Sequence, residues 1–329
     1  MSSQKTITVM GAGAWGTALA SVMTRKGHQT FLCGRDASAL ETIGETHENT
    51  RYLPGIKLPR ALKIRTDTEA AIADSDVILL VTPAQTIHSV IETYFRSIKA
   101  GVPVILCAKG INRETGQLPA ETAADLLTNN PVAALSGPSF ASDVASDLPT
   151  AVTLACNDNA LTLPLAEAIS GPTFRVYTSD DLKGVELGGA LKNVIALAVG
   201  VCRGLGLGAS AEAALIARGF AELNRLAIAL GAKPQTLMGL SGLGDLVLTC
   251  SSPQSRNFAF GMALGAGTDT RNMLLAEGAL TAPIAAKIAT KNSIDCPIIQ
   301  AVVKLLAGDI SAIEASHVLL SRPLKTESE

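Results

Sequence analysis

Apolar residues in the first half of the chain gather into short uncharged runs: TITVMG, TFLCG, DVILLVTP, PVILCAKG, VAALSG, TAVTLAC and FRVYT. Their length and β-branched content predict strands. Between several of them, apolar residues return at helical spacing, as in AWGTALASVMTRKG, TIHSVIETYFRSI and PAETAADLLTN. This alternation predicts a mainly parallel sheet covered by helices on both faces. The pattern changes near Ser179. Beyond it the spacing predicts helices over 180–204, 209–231, 256–265, 281–291 and 297–307, with a last one over 311–320. The expected organisation is a doubly wound α/β domain over 1–180 and an all-α domain over 181–329.

One predicted helix carries an anomaly. Between Leu187 and Cys202 the only charged side chain is Lys192. A helix apolar nearly all round is a buried helix, and a buried ammonium is costly unless paired. Helical side chains lean over the residues three and four back, here Gly189 and Gly188. The expectation is a shallow space beside the ammonium that a small ligand can fill, with Asn193 helping to orient it. The alternative is a lysine that snorkels out of a helix packed closely through its glycines.

Composition narrows the classes. A chain of 329 residues has the length of about two domains, and its hydrophobic fraction of 47% against 3% aromatic implies a large aliphatic core. The net charge is −2, without basic runs, so nucleic acid is not an expected partner. The N-terminal stretch has no apolar signal region, and no apolar run reaches the ~20 residues of a membrane span. The expected location is the cytoplasm. The six cysteines form no C-x-x-C and none adjoins a histidine. Buried thiols are therefore expected, and neither zinc nor another metal. No histidine lies between Lys99 and Ser316, so proton transfer in the middle of the chain falls to another residue type.

Two local patterns carry chemistry. TITVMGAGAWGTALA places Gly11, Gly13 and Gly16 in G-x-G-x-x-G between a strand and a helix, the context of a Rossmann-type dinucleotide fold. Gly11 makes the turn, Gly13 admits a pyrophosphate, and Gly16 lets helix and strand approach. After the next strand stands Gly34-Arg35-Asp36. Arg35 is either solvated or pairs with a 2′-phosphate, which would favour NADP over NAD; Asp36 leaves an acidic alternative. Farther on, Lys109 follows a strand end, where open α/β sheets bind ligands, or is a solvated loop lysine. Ser139 in SGPSFA either caps a helix or offers an anion site. Ser255, Arg256 and Asn257 open a helix with three donors suited to a dianion, or form an ordinary cap. Asp245 either caps a segment or accepts a substrate hydroxyl.

GAGAWGTALA, NTRYLPGIKLP, AKGI, SGPSFA, VELGGALKNVIALAVG, GLSGLGDLVLTCSSPQSRNFAFG and AEGA occur in order from Thr6 to about Pro297. In these motifs the chain resembles the bacterial NAD(P)-dependent glycerol-3-phosphate dehydrogenases. The resemblance implies a Rossmann domain joined to an all-α domain of the 6-phosphogluconate-dehydrogenase-like type. It implies reversible reduction of dihydroxyacetone phosphate to sn-glycerol 3-phosphate with NADPH or NADH, for phospholipid synthesis. Lys192 is then the proton donor and acceptor. Gly11, Gly13, Ala14, Trp15, Gly16, Arg35, Lys109, Ala141, Arg256, Leu275 and Glu277 are expected at the cofactor. Lys109, Gly137, Ser139, Lys192, Asp245, Ser255, Arg256 and Asn257 are expected at the substrate. Leu275 and Glu277 come from the resemblance alone. A homodimer fits the apolar helical half. Ala14 stands where a small polar residue is more usual in the family, and Arg203 where many members carry an acid. Two other readings remain: a β-hydroxyacid or ketopantoate-type reductase, which handles carboxylates and has no use for SPQSRNF, and a nucleotide sensor that binds NADPH without turnover.

Overall fold

The computed structural model describes residues 4–271, 273 and 276–321. Eight strands form one sheet: β1 (Thr6–Met10), β2 (Gln29–Cys33), β3 (Lys63–Arg65), β4 (Val77–Leu80), β5 (Val104–Leu106), β6 (Val132–Ser136), β7 (Thr150–Cys156) and β8 (Phe174–Ser179). Their order is 3-2-1-4-5-6-7-8, and all neighbours are parallel except β6 and β7. Side chains alternate between two cores. Ile7, Val9, Leu79, Ile105, Ala133 and Leu135 face one; Met10, Ile78, Leu80, Val104, Leu106 and Val132 face the other. Burial on both faces is what makes these runs apolar throughout. β3 was not among the expected strands. It is three residues long at the sheet edge, with Lys63 and Arg65 exposed, and so has no apolar run.

Helices α1 (Ala14–Arg25), α2 (Ala37–Thr46), α3 (Thr68–Ala73), α4 (Ile87–Tyr94), α5 (Pro119–Leu126), α6 (Ala141–Ala145) and α7 (Asn159–Ile169) lie between the strands. The remainder is helical: α8 (Leu182–Gly204), α9 (Ala209–Ala229), α10 (Pro234–Leu237), α11 (Asp245–Ser251), α12 (Arg256–Gly265), α13 (Glu277–Lys291), α14 (Pro297–Ala307) and α15 (Ala312–Leu320). α13 begins four residues before the expected 281, because Pro283 is accommodated inside the helix rather than at its start. The chain forms two compact units, Met1–Gly189 with Gln235–Asp245, and Ala190–Pro234 with Leu246–Glu329. All six cysteines are buried and free.

Among the described residues, α8 alone is long and apolar enough to cross a membrane, and its apolar stretch is wholly buried. This corrects the expectation that no run reaches that length: Glu186 and Lys192 do not lower the mean hydropathy of the helix enough to break it. In the second unit α8 meets α12 backbone to backbone. A Cβ on Gly200 or Gly204 would lie 2.2 Å from the carbonyl oxygen of Phe258 or Met262. On the facing helix, a Cβ on Gly261 or Gly265 would lie 2.1 or 2.3 Å from the oxygen of Leu197 or Val201. In each helix the two glycines are four residues apart and so share a face. Arg203 pairs bidentately with Glu212 on α9 and lies 5.7 Å from the Phe258 ring, which gives this departure from the family pattern a structural role.

Of the three helices that begin on a proline, α5 and α14 are capped from a distance. Proline has no N–H to lose at that position, so the next amide needs the acceptor. In α5, Ala120 N–H donates to Glu186 Oε1 at 2.9 Å. In α14, Ile298 and Ile299 N–H donate to the two oxygens of Glu222 at 2.8 and 3.2 Å. Both glutamates are buried. Burial pushes the Glu186 carboxyl from 4.5 to about 8 and Glu222 to about 7, against the lowering effect of the amides they cap. Between those values the folded chain holds protons that the unfolded chain has released, so stability falls as pH rises. We expect Glu186→Gln, which keeps an acceptor for Ala120, to remove a loss of up to about 1.4 kcal/mol per pH unit between about pH 5 and 8. Urea unfolding of both proteins across that range checks it; parallel curves would refute it.

Candidate functional site

In the first unit the phosphate loop follows β1. Gly11 has φ 121° and donates its N–H to Cys33 O at 2.8 Å. A Cβ there would lie 2.6 Å from Val81 O, and one on Gly16 would lie 1.8 Å from Gly11 O. A Cβ on Gly13 would meet nothing within 4 Å. Two of the glycines are thus required by close packing, and the third faces open space at the start of α1. The first-turn amides there, beginning at Ala14 and Trp15, have no intrahelical acceptor. This arrangement fits a pyrophosphate. It lies outside the carboxyl ends of β1 and β4, where the strand order reverses. Beside it the Thr82 hydroxyl is buried without a partner among the described residues.

Past β2, Gly34 lies against Ala12, Arg35 is exposed, and Asp36 accepts from Ala39 N–H at 3.1 Å as the cap of α2. The carboxylate is committed to the helix, whereas the guanidinium makes no ion pair among the described residues.

The first unit holds a second cluster. Lys109 Nζ lies 2.6 Å from Asp245 Oδ2 and 3.2 Å from Gly137 O. Asp245 is 1% exposed, so a buried carboxylate at the start of α11 is neutralised by a lysine just beyond β5. Gly137 has φ 152°, and a Cβ on it would lie 2.8 Å from Val152 Cα, so no other residue fits. Ser139 does not cap α6: its hydroxyl donates to Gly137 O at 3.0 Å, and Phe140 holds the cap position. Ala141 opens that helix. The space expected beside Gly188 and Gly189 is filled by protein. A Cβ on Gly188 would lie 2.7 Å from Ser241 O, and one on Gly189 would lie 2.7 Å from Ser136 Oγ and 3.4 Å from Lys109 Cγ. The hydroxyls of Ser136 and Ser241 are buried without partners among the described residues.

In the second unit Lys192 is 5% exposed, and its Nζ donates to Thr249 Oγ1 at 2.6 Å. It does not snorkel. Ser255 caps α12 by accepting from Phe258 N–H at 3.3 Å, which leaves its own hydrogen unspent. Arg256 is exposed at the first helical position. Glu277 opens α13; burial raises its carboxyl above the ordinary range while Arg256 lowers it. Its Oε2 is buried without a partner among the described residues. Asn257 is buried and bonded at both ends of its amide. Leu275 lies outside the described residues.

The structure adds Thr249, which holds Lys192, and Asn49. Asn49 is 3% exposed and donates to Ala12 O at 3.0 Å and to Thr17 Oγ1 at 2.8 Å. It ties the apex of the phosphate loop to the helix that follows.

Residues 6–162 match the family model for the NAD-dependent glycerol-3-phosphate dehydrogenase N-terminus, and residues 181–317 that for its C-terminus. The chain belongs to the NAD-dependent glycerol-3-phosphate dehydrogenase family. Its family relatives include "Glycerol-3-phosphate dehydrogenase [NAD(P)+]" of Chelativorans sp., 54% identical over 99% of this chain and 100% of that protein. The counterpart in Mesorhizobium japonicum is 53% identical over 98% and 94%. The crystal structure of glycerol-3-phosphate dehydrogenase from Coxiella burnetii superposes with a TM-score of 0.92 at 40% identity, covering 97% of this chain and 99% of that one.

Asn49 supplies a test of the loop. Asn49→Leu keeps the volume and deletes both donors. We expect NADPH to bind about tenfold more weakly, about 1.4 kcal/mol, as read by fluorescence titration. Unchanged affinity would show that the loop holds its shape without Asn49.

Proposed function

We propose that this protein reduces dihydroxyacetone phosphate to sn-glycerol 3-phosphate with NADPH or NADH, and runs the reaction in reverse, as a cytoplasmic enzyme of glycerophospholipid synthesis. The observation that carries the reading is Lys192, a buried cation on an apolar helix of a chain related to this family over its whole length. The two alternative activities lose ground to the same family match.

The cofactor supplies a hydride to the carbonyl carbon when bound. Lys192 gives a proton to the carbonyl oxygen as that oxygen gains charge, and takes it back in the reverse direction. Its cation also stabilises the developing alkoxide. Thr249 accepts one ammonium hydrogen and so aims the others. The substrate phosphate is assigned to the guanidinium of Arg256, which can hold two oxygens at once. The unspent hydrogens of Ser255 and Asn257 supplement it. Lys109, Gly137, Ser139 and Asp245 are assigned to the rest of the substrate. The Asp245 carboxylate offers an acceptor suited to a hydroxyl. Gly11, Gly13, Ala14, Trp15 and Gly16 bind the pyrophosphate side of the cofactor, with Ala141, Leu275 and Glu277 elsewhere on it. Arg35 reads the 2′-phosphate. The buried location of α8 supports a protein that does not insert into membranes, and the apolar helical half supports a homodimer.

Lys192→Met keeps most of the side-chain volume and deletes the charge. We expect a folded protein of unchanged NADPH affinity whose kcat falls by ~10²–10⁴. NADPH absorbance decay with dihydroxyacetone phosphate, followed beside thermal melting, reads both; near-normal turnover would remove Lys192 from the chemistry. Unphosphorylated dihydroxyacetone should be a very poor substrate, and equal use of both would remove the phosphate assignment.

Arg35→Asp should shift the ratio of kcat/KM for NADPH and NADH toward NADH. An unchanged ratio would show that Arg35 does not read the 2′-phosphate.

A further inference from the structure

Cations gather at the sheet edge beside the phosphate loop. Gly11 N–H donates to Cys33 O at 2.8 Å, and Cys33 at the end of β2 is in register with Arg65 at the end of β3. Loop apex, β2 and β3 thus stand in a row. Neighbouring strands lie about 4.8 Å apart, so the Arg65 backbone is roughly 10 Å from the loop apex. Arg35 follows Cys33 by two residues. An adenosine whose pyrophosphate sits on the loop brings its 2′ position to this end of β2. Arg65 is exposed, yet it has a fixed seat. Its Cζ lies 5.0 Å from the centre of the Phe31 ring, and Lys63 Nζ lies 5.6 Å from the same ring. Phe31 is buried against Cys33 and Ala71. A ring attracts a cation but does not neutralise it. Neither Arg65 nor Arg35 makes a side-chain hydrogen bond or an ion pair among the described residues. The carboxylates beside them in sequence are committed to helices: Asp36 caps α2, and Asp67 caps α3 by accepting from Ala70 N–H at 3.0 Å. All five N–H donors of Arg65 are therefore unspent, and its seat on the ring lowers the entropy lost when a ligand arrives.

We infer that Arg65 is a second specificity residue for NADPH, whose guanidinium, seated on Phe31, takes the 2′-phosphate together with Arg35. The inference rests on the cofactor placement proposed above and adds a residue from β3. Two neighbouring cations repel each other, and a dianion between them turns that repulsion into attraction. Lys63 carries the same charge over the same ring but stands two residues farther from the strand end. It lies too far back to share the phosphate, and so serves as the control.

Arg65→Gln and Lys63→Gln each delete one cation from the ring. NADPH and NADH binding is read by fluorescence titration. Binding of 2′,5′-ADP, which has the 2′-phosphate but no nicotinamide, is read by displacement of NADPH. We expect Arg65→Gln to weaken NADPH and 2′,5′-ADP about tenfold, the loss of one charge-assisted phosphate contact, and NADH by less than about twofold. Lys63→Gln should change all three by less than about twofold, because exposed charges off the contact are screened. Unchanged NADPH affinity in Arg65→Gln would overturn the inference. Equal losses for NADPH and NADH would overturn it too, by making Arg65 a support of the sheet edge. Equal losses in the Arg65 and Lys63 variants would do the same, by reducing the effect to a diffuse field. If Arg65→Gln does not fold, Arg65→Lys decides. It keeps a cation over Phe31 and loses the fork, so NADPH should weaken at least about threefold with NADH unchanged; wild-type affinity for both refutes the inference. None of these readouts needs turnover. A protein that fails to reduce dihydroxyacetone phosphate would overturn the proposed reaction and leave the Arg65 result standing. Likewise, an unchanged cofactor ratio in Arg35→Asp beside a changed one in Arg65→Gln would remove Arg35 from the 2′-phosphate and keep Arg65 there.

Discussion

Helices α8 and α12 meet at their backbones, through two glycines on each, and much of the second unit follows from that contact. Any side chain at Gly200, Gly204, Gly261 or Gly265 would be driven into a carbonyl oxygen of the other helix. The close approach has a geometric effect upstream. Lys192 lies eight residues before Gly200, and Asn257 lies four before Gly261. Both stand a whole number of turns, or nearly so, from the contact. The hydrogen bond that Asn257 Nδ2 donates to Asn193 Oδ1 can form because the helix axes are already close. A core of ordinary aliphatic side chains would have held these groups farther apart and with more play.

Burial of charge follows a consistent rule in both units. Lys109 meets Asp245, Arg203 meets Glu212, Lys192 meets Thr249, and Glu186 and Glu222 each meet backbone amides at a helix start. A buried charge without such a partner would cost several kcal/mol. Against that background, the hydroxyls of Thr82, Ser136 and Ser241 and one oxygen of Glu277 stand out as buried and unpartnered among the described residues. Thr82 adjoins the phosphate loop, Ser136 and Ser241 adjoin the Lys109 cluster, and Glu277 adjoins Arg256. Four of the six such atoms among the described residues thus lie beside groups to which ligands are assigned; the other two are Asn224 Oδ1 and Thr281 Oγ1.

The sheet was largely legible in the sequence because fully buried parallel strands are written as apolar runs. β3 was not, since an exposed edge strand of three residues leaves no such mark. α2, α3 and α7 each begin at an aspartate cap, Asp36, Asp67 and Asp158, a signal that competes with ordinary loop polarity. The phosphate loop could be read residue by residue, because strand, glycine spacing and helix are local. The glycines before Lys192 were read as clearing space for a ligand; they admit Ser241, Ser136 and the Lys109 stem instead. Spacing shows that a side chain is missing, but only the tertiary fold decides what takes its place. Asn49 and Thr249 were silent for the same reason. Their roles lie wholly in contacts 32 or more residues away along the chain.

Aromatic residues are scarce, and the chain has a single tryptophan, Trp15. It stands in the first turn of α1, directly after the phosphate loop, half-buried and tilted against Phe174 at 6.5 Å between ring centres. Intrinsic tryptophan emission from this protein therefore comes from one place, and that place is the dinucleotide loop. Reduced nicotinamide absorbs where indole emits, so loading of the cofactor is visible as quenching and energy transfer without any label. The same ring reports separately on whether the loop and the sheet beneath it are folded.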